Sequence, residues 1–415
     1  MGHIGIITEY NPFHNGHAYQ ISKIKELYPD KKIIPIMSGD FVQRGEPAIY
    51  NKYLRTKCAL SSGVDIIFEL PVPFATASAE HFASAAITAL SSTGVVDTLC
   101  FGAEDDCIDD LNTIADLLVS EPSAYRVILK KYLKDGCSFP MARGIAVSSY
   151  LKNPAYEELL RKPNNILGIE YLKAIKRLHL NLKPVIIKRT GAGYHDPSLT
   201  SSFSSATAIR NELRSNDQMS SLKHHLPAAS YELLKQDAYA KPLFADHFYP
   251  LLQYALWEHK NDYTNYWEIN DDIARQLSAL TSYPEDYNNL ITLLSSKNMT
   301  SSRIRHALLN ILLGCTNETF TCLKAANYIT YLRLLGFQRT ASSILKEMKQ
   351  TAEIPIINKV ADASDLLSDS QLTCFHRDLS ASDLYRQVYT CTYHQNMPTE
   401  YEHTVIIHDD SHTIE

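Results

Sequence analysis

GHIGIITEYNPFHNGHAYQISKIKEL, residues 2–27, joins an apolar strand-like segment to a helical pattern through a short polar turn. The turn contains His14-Asn15-Gly16-His17 and ends the first strand, where nucleotide-binding α/β folds hold phosphates. Gly16 would let the backbone approach a phosphate closely, and the following helix would offer unpaired N–H groups and the positive end of its dipole. We therefore expect a phosphate site flanked by two imidazoles.

Such a site suits a nucleotide whose α-phosphate is attacked, because negative charge gathers there in the transition state and fixed donors stabilise it. His14 and His17 are the expected catalytic residues. Each charged hydrogen bond would contribute about 1.5 to 3 kcal/mol. The alternative is a loop with two ordinary histidines, but the position of the turn after the first strand favours the phosphate site.

The composition is that of a globular protein with enough residues for two domains, since 45% of the 415 residues are hydrophobic and 21% are charged. No apolar run approaches the roughly 18 to 20 residues that cross a bilayer, and the first residues do not resemble a secretory signal. We therefore expect a cytoplasmic protein without a membrane partner. The eight cysteines show no zinc-site spacing, so no metal site is expected. The net charge of −6 limits any nucleic-acid contact to local basic patches.

The first half of the chain alternates strand-like and helical patterns, which predicts an α/β fold with a parallel sheet covered by helices. The expected strands are GIIT, KIIPIM from Lys32, VDIIFEL from Val64, VVDTLCFG from Val95 and KPVIIKRT from Lys183. From about residue 216 helical periodicity dominates, and it extends through LKAANYITYLRLLGF. Two late apolar runs, EIPIINKV from Glu353 and TVIIHD from Thr404, either rejoin a sheet or stand alone. We expect domains at 1–215 and 216–415.

A second motif, SSATAIR at residues 204–210, lies at the expected start of a helix in the first domain. Ser205 or Thr207 can cap this helix, and Arg210 lies one turn further on. Its guanidinium could clamp the β- and γ-phosphates of a nucleoside triphosphate. A serine-rich loop with an ordinary helix cap is the alternative, but the presence of HNGH in the same domain favours the phosphate-binding interpretation.

Together, HNGH and SSATAIR resemble the HIGH-type nucleotidylyltransferase superfamily. Class I aminoacyl-tRNA synthetases share the first motif, but their KMSKS-like loop is absent from this sequence. A more specific resemblance is to the bacterial tRNA(Met) cytidine acetate ligase family. It rests on TEYNPFHNGHAY, SGDFVQRGEPA, FELP, FGAE, PNNILGIEYLKAI, KRTGAGYHD and SSATAIR. The resemblance is strong to about residue 215 and weaker beyond, where RIRHALLNILLG and YLRLLGF match best.

This resemblance implies a Rossmann-like nucleotidyltransferase domain followed by a mainly α-helical domain that contributes to tRNA binding. It also implies a two-step ligase. ATP, accompanied by Mg²⁺, and acetate give acetyl-adenylate and pyrophosphate, and the acetyl group then passes to N4 of the wobble cytidine in elongator tRNA(Met). Two alternatives stay open: an adenylyltransferase acting on a small phosphorylated metabolite, and a non-catalytic nucleotide- or RNA-binding protein.

The resemblance also implies the residues that contact ATP. They are the continuous stretch Ile7, Thr8, Glu9, Tyr10, Asn11, Pro12, Phe13, His14, Asn15, Gly16, His17, Ala18, Tyr19 and Gln20, followed by Gly102, Asn165 and Arg189. Asn165 is preferred over Asn164. Ser205, Thr207 and Arg210 of the second motif complete the expected set. Gly102 as a plain turn residue, Asn165 as a helix cap and Arg189 as an exposed charge remain alternatives.

Further polar residues have both a functional and a structural interpretation. Arg44, near Asp40 and Gln43, could hold acetate in a bidentate pair or lie in a solvated turn. His195 and Asp196 suggest acid–base chemistry or a stabilised loop. Contacts to an RNA backbone, or simply a polar helix face, are expected for Lys52, Arg55, Lys57, Lys130, Lys131, Tyr132, Lys134, Arg303, Arg305, His306, Tyr331 and Arg333.

Overall fold

The computed structural model describes residues 2–189, 203–215, 219–297 and 299–409. Its central feature is a mixed, mostly parallel sheet with helices on both faces. The strands are β1 (His3–Thr8), β2 (Ile33–Ser38), β3 (Phe41–Val42), β4 (Glu46–Pro47), β5 (Ile66–Leu70), β6 (Val96–Ala103), β7 (Lys183–Lys188), β8 (Leu332–Gln338), β9 (Ile356–Ile357) and β10 (Ile406–His408).

Helices occupy most of the remaining described chain. They are α1 (Asn15–Leu27), α2 (Lys52–Ser61), α3 (Val72–Ala75), α4 (Ala79–Ser92), α5 (Ile108–Ser120), α6 (Ser123–Lys134), α7 (Phe139–Leu151), α8 (Ala155–Leu159), α9 (Pro163–Arg177), α10 (Ala206–Ser215), α11 (Ala228–Gln236), α12 (Ala245–Glu258), α13 (Asp271–Ser278), α14 (Tyr287–Leu294), α15 (Ser301–Leu312), α16 (Asn317–Ala325), α17 (Ser342–Thr351), α18 (Ala363–Leu366) and α19 (Asp369–Tyr393). Among the described residues, no helix is long and apolar enough to cross a lipid bilayer.

The strand order of the main sheet is β10-β8-β5-β2-β1-β6-β7, and β9 also pairs with β8. All the expected strands of the first half are confirmed, and each pairs in parallel with its neighbours from that half. β1 lies between β2 and β6, so the HNGH turn that follows it emerges at the middle of the carboxyl edge. Polar groups that follow neighbouring strands meet at this edge.

The sheet divides two apolar clusters, one on each face. Consecutive residues of β2 alternate between them: Ile34 and Ile36 pack with one cluster, and Ile33 and Met37 pack with the other. This alternation follows from the two-residue period of a strand. Because both faces are covered, β2 is apolar throughout apart from its last residue, as is typical of a parallel sheet.

The helical prediction for LKAANYITYLRLLGF is wrong in its second part. α16 ends at Ala325, and Leu332–Gln338 forms β8, which pairs antiparallel with β5. A short apolar run fits a buried helix or a buried strand equally well, and here the open edge of β5 selects the strand. Both late apolar runs rejoin the sheet, because β9 and β10 pair with β8. The domain boundary at residue 215 stays a prediction.

A buried charge network joins the end of the chain to the sheet. The Nζ atom of Lys52 lies 2.8 Å from Glu69 Oε1 and 3.2 Å from Glu400 Oε2. The Arg333 guanidinium pairs with the same two carboxylates.

Arg55 is also buried and donates to the backbone carbonyls of residues 9, 38, 39 and 50. Both sequence interpretations of Lys52 and Arg55, an RNA contact and a solvated face, are therefore wrong.

Candidate active site

A cavity opens at the carboxyl edge of the sheet, where β1, β6 and β7 end near the first turns of α1 and α10. Its walls are Ile7, Thr8, Glu9, Tyr10, Asn11, His14, His17, Gln20, Gln43, Arg44, Phe82, Phe101, Gly102, Asn164, Leu167, Tyr171, Arg189, Ser205, Ala206, Thr207 and Arg210. Most of the residues expected to contact a nucleotide meet here. The expected residues that do not line it are Pro12, Phe13, Asn15, Gly16, Ala18, Tyr19 and Asn165.

His14 and His17 form a stacked pair at the start of α1, with ring centroids 3.9 Å apart. Nδ1 of His14 accepts the Gly16 N–H at 3.0 Å, and Nδ1 of His17 accepts the His14 N–H at 3.2 Å. Because each Nδ1 acts as an acceptor, the proton of each neutral ring is on Nε2. The backbone therefore fixes both imidazoles as Nε2–H donors on the wall of the cavity.

Both imidazoles are neutral at physiological pH. Burial, with Arg189 and Arg210 nearby, lowers the pKa of His14 to about 3. Burial, His14 and Arg189 hold the pKa of His17 well below its usual range. A neutral N–H that donates to an anionic phosphate still makes a charge-assisted hydrogen bond, so the expected contribution of about 1.5 to 3 kcal/mol each stays a prediction. The cationic part of the site comes from its arginines.

The start of α1 differs from the expected phosphate cradle. The Asn15 N–H donates to the His225 carbonyl at 3.2 Å, and the Gly16 N–H is taken by His14. A Cβ atom on Gly16 would lie 2.8 Å from Cε1 of His14. Gly16 therefore makes room for the His14 ring, and the donors that face the cavity are imidazoles instead of helix N–H groups.

The second motif is tied directly to the first. Ser205 Oγ accepts the Ala208 N–H at 3.0 Å, so Ser205 caps α10. Thr207 Oγ1 instead accepts from Arg210 and from Arg44, each at 3.2 Å. Arg210 also donates to the Asn11 carbonyl at 2.7 Å. These bonds hold two guanidinium groups together on the wall of the cavity.

Gly102 and Arg189 lie next to each other on neighbouring strands. The Arg189 N–H donates to the Ala103 carbonyl at 2.9 Å, which extends the pairing of β7 with β6 by one residue. A Cβ atom on Gly102 would be 3.4 Å from Arg189 Cγ. The Arg189 side chain thus passes over Gly102, and it is both exposed and part of the cavity wall.

Asn165, which the sequence prefers over Asn164 as a nucleotide contact, does not lie on the cavity wall. Asn165 is fully buried, and its amide accepts the Glu104 N–H at 3.1 Å and donates to Asp105 at 2.9 Å. It is not the helix cap either, because α9 begins at Pro163. Asn164 lines the cavity and donates to the Glu104 carboxylate. The geometry therefore favours Asn164 as the residue that contacts a ligand.

Sequence reasoning missed the apolar wall of the cavity, formed by Phe82, Phe101, Leu167 and Tyr171. The rings of Phe101 and Tyr171 meet edge to face, with centroids 5.7 Å apart. Two signals could have indicated this wall. Phe101 immediately precedes Gly102 on β6, and Leu167 and Tyr171 are spaced four residues apart on one face of α9.

A clasp formed by α15 holds the β3–β4 hairpin against the cavity. His306 Nε2 lies 2.6 Å from the Gln43 carbonyl oxygen, and its Nδ1 lies 2.9 Å from Glu268 Oε2. Arg305 pairs with Glu46. Gly45, at φ 75°, packs so closely that a Cβ atom would be 2.8 Å from the backbone carbon of Arg305. The clasp thereby fixes Arg44, the next residue after Gln43.

The other residues that the sequence suggested for RNA binding or catalysis differ in where they lie. Tyr331 and Arg333 are buried, so their assignment to RNA is wrong. Asp40 accepts the Lys52 N–H and is structural. Lys57 pairs with Asp237, whereas Arg303 and the lysines of α6 lie outside the cavity. His195 and Asp196 fall outside the described residues.

The chain matches the HIGH Nucleotidyl Transferase family model over residues 1–400. It is 38% identical over 391 residues to the tRNA(Met) cytidine acetate ligase of Thermoanaerobacter sp. (strain X514), covering 94% of this chain and 96% of that protein. The protein of the same name from Acetivibrio thermocellus is 33% identical over 411 residues, covering 97% and 99% of the two chains.

Solved structures agree with these sequence relatives. Thermotoga maritima TmcAL in its apo form superposes with a TM-score of 0.92 at 31% identity, covering 99% of this chain and 100% of that chain. The same protein bound with alpha-thio ATP gives a TM-score of 0.90 at 30% identity and the same coverage.

Proposed function

We infer the function from the family, because the chain belongs to the tRNA(Met) cytidine acetate ligases of the HIGH nucleotidyl transferase group. It is an ATP-dependent ligase that joins acetate to a tRNA cytidine. The observation that supports this most directly is the cavity, in which two neutral imidazole donors and three arginines meet at the end of β1. We propose N4 of the wobble cytidine in elongator tRNA(Met) as the acceptor.

In the first step we propose that an acetate oxygen attacks the α-phosphorus of ATP. The bond from the α-phosphorus to the bridging oxygen breaks, and pyrophosphate leaves with its electron pair. Acetate is already an anion, so the enzyme must supply orientation and charge stabilisation instead of a strong base. The Nε2–H groups of His14 and His17 donate to the α-phosphate, where negative charge develops.

Arginines complete the stabilisation. We propose that Arg189 contacts the nucleotide phosphates and that Arg210 binds the departing pyrophosphate. Arg44 donates to the same Thr207 hydroxyl as Arg210, and this contact supports the proposal that Arg44 holds the acetate carboxylate beside the leaving group. Gly102, Asn164 and the apolar wall receive the adenosine.

In the second step we propose that the cytidine N4 nitrogen attacks the acetyl carbonyl of the acetyl-adenylate. The bond from that carbonyl to the phosphate oxygen breaks, AMP leaves, and N4 loses one proton. The product is N4-acetylcytidine. We propose the cytoplasm as the location, because ATP and tRNA are both present there.

Mg²⁺ is proposed only as the partner of ATP. Within the described ranges no group of three or more His, Cys, Asp or Glu side chains could hold a metal ion. Glu9 is a carboxylate on the cavity wall, and one carboxylate with phosphate oxygens and water suits Mg²⁺. When bound, the ion neutralises phosphate charge.

The test is exchange of labelled pyrophosphate into ATP in the absence of tRNA. We expect exchange that requires acetate, because the first step is reversible. Exchange at the same rate without acetate would contradict the acetate ligase. Exchange that requires a small phosphorylated metabolite would support an adenylyltransferase instead, and ATP binding without any exchange would indicate a non-catalytic protein.

A further inference from the structure

A second cleft adjoins the nucleotide cavity on the side of the helical half. It lies between α10, the β3–β4 hairpin, the start of α12 and the first turn of α15. The two spaces share one wall, formed by Gln43, Arg44, Thr207 and Arg210. A molecule in the cleft would therefore reach the group that is activated in the cavity.

The described lining of the cleft is strongly cationic. It includes Arg44, Arg210, Arg214 and Arg305, with Glu46 as the carboxylate. This concentration contrasts with the net charge of −6 for the whole chain. A polyanion would be attracted to such a local patch, although the rest of the surface would repel it.

Two of these arginines lie beyond the reach of the nucleotide cavity. Arg214 and Arg305 line the cleft and not the cavity, so the triphosphate does not explain them. Arg214 pairs with Asp246 at 3.2 Å, and its guanidinium lies 4.8 Å from the centroid of the Phe244 ring. The side chains of Arg214 and Asp246 are 46% and 40% exposed, so a phosphate can approach this pair.

We propose that this arginine cleft, where Arg214 and Arg305 lie beside the shared Arg44 and Arg210, uses Arg214 and Arg305 to bind the phosphodiester backbone of the RNA that flanks the acceptor cytidine. The proposal rests on the proposed function. Phosphate contacts fix the register of a nucleic acid, so these contacts would place one nucleotide at the shared wall, beside the acetyl-adenylate.

The test compares three variants of the full chain by direct binding to an unmodified tRNA(Met) transcript at several salt concentrations. Arg214→Ala should weaken binding about tenfold and lower the slope of log K against log salt by about 0.7 to 0.9. Asp246→Asn removes the competing carboxylate, so it should preserve or strengthen binding. Arg275→Ala, which removes an exposed arginine of α13 outside the cleft, is the matched control and should bind as the wild type does.

Pyrophosphate exchange without tRNA is the second measurement, and Arg214→Ala should leave it unchanged. Equal tRNA affinity in Arg214→Ala and Arg275→Ala would overturn the proposal. So would equal losses in Arg214→Ala and Asp246→Asn, because that result indicates a structural ion pair. A raised KM for ATP with unchanged tRNA binding would assign the cleft to the triphosphate. If tRNA binding requires Arg214 but the wild-type enzyme does not acetylate the tRNA, the proposed function is contradicted. The RNA-binding role of the cleft is then retained.

Discussion

His14 and His17 show how backbone geometry sets the chemistry of a side chain. Each Nδ1 accepts a backbone N–H, so each ring has two tasks: it closes the first turn of α1 and it presents Nε2–H to the cavity. The neutral state suits this role, because the proton is held at one atom and is not lost as pH changes near neutrality.

Two substitutions at His17 separate these tasks. The Asn amide oxygen can replace Nδ1, and the Gln amide nitrogen can replace Nε2–H. We expect His17→Asn to lower pyrophosphate exchange by about 10²- to 10³-fold, as the loss of one preorganised donor does, and His17→Gln to lower it less. Thermal stability should follow the opposite order: His17→Asn keeps the acceptor that closes the first turn of α1 and should be more stable than His17→Gln. Equal exchange in the two variants would contradict the donor role, and His17→Ala should lose both functions while still binding tRNA.

The low pKa of His14 also predicts a pH dependence of stability. Between pH 3 and 6.5 the unfolded chain binds a proton at this residue and the folded chain does not, so folding is favoured less as pH falls. Between pH 7 and pH 5 we expect the free energy of unfolding of wild type to fall by up to about 2 kcal/mol more than that of His14→Asn. Urea denaturation at the two pH values measures this. If the two proteins differ in unfolding free energy by the same amount at pH 7 and at pH 5, folding does not lower the pKa of His14.

At the scale of elements, the cavity at the carboxyl edge of the sheet is assembled by contacts between distant segments. α15 clasps the β3–β4 hairpin, and the hairpin places Arg44 against Thr207 of α10. α10 in turn reaches the turn after β1 through Arg210. The helical half therefore supports the site without contributing a residue to the cavity wall.

Gly45→Ala tests this clasp. The substitution is strained at φ 75° and places a Cβ atom 2.8 Å from the backbone of Arg305, so we expect roughly 1 to 3 kcal/mol of lost stability and reduced exchange. Gly136→Ala is the matched control, because Gly136 has φ 80° but has open space around the position of the Cβ atom. It should lose some stability and keep full exchange. The same exchange rate in both variants would show that the clasp does not position Arg44.

The sequence predicted the elements whose patterns are local. GIIT, KIIPIM and VDIIFEL were recognised because β-branched runs alternate with helices, and HNGH was placed correctly because it follows β1. YLRLLGF was not, since its partner β5 lies far away in the chain. The sequence could not decide between Asn164 and Asn165, because the choice depends on which amide turns toward Glu104 and Asp105, and that orientation is set by packing.

At the scale of the whole molecule, Lys52, Glu69, Arg333 and Glu400 tie the last part of the chain to the central sheet. Their burial could not be read from the sequence, because each charged residue resembles a surface residue until its distant partner is known. A buried pair is costly to break, since the remaining charge has no compensation.

Glu400→Gln should lower stability by about 3 to 5 kcal/mol at pH 7. Burial alone would raise the pKa of Glu400, but Lys52 and Arg333 outweigh it and lower the pKa to about 2. The contribution of Glu400 to stability is therefore complete above pH 4.5 and is lost as pH falls toward 2. The difference in unfolding free energy between wild type and Glu400→Gln should therefore be smaller at pH 3 than at pH 7, as measured by denaturation. Glu26→Gln, in an exposed pair with Lys23, should change stability far less, because water and salt screen that pair. A similar small effect at Glu400 would contradict a buried network.

The most direct measurement for the whole account is a search for N4-acetylcytidine in tRNA(Met) after incubation with this protein, ATP and labelled acetate. We expect label at the wobble cytidine, strict dependence on ATP, and no label in a transcript with uridine at that position. Label that is absent from the RNA, or that enters it without ATP, would contradict an ATP-dependent acetate ligase built around His14 and His17.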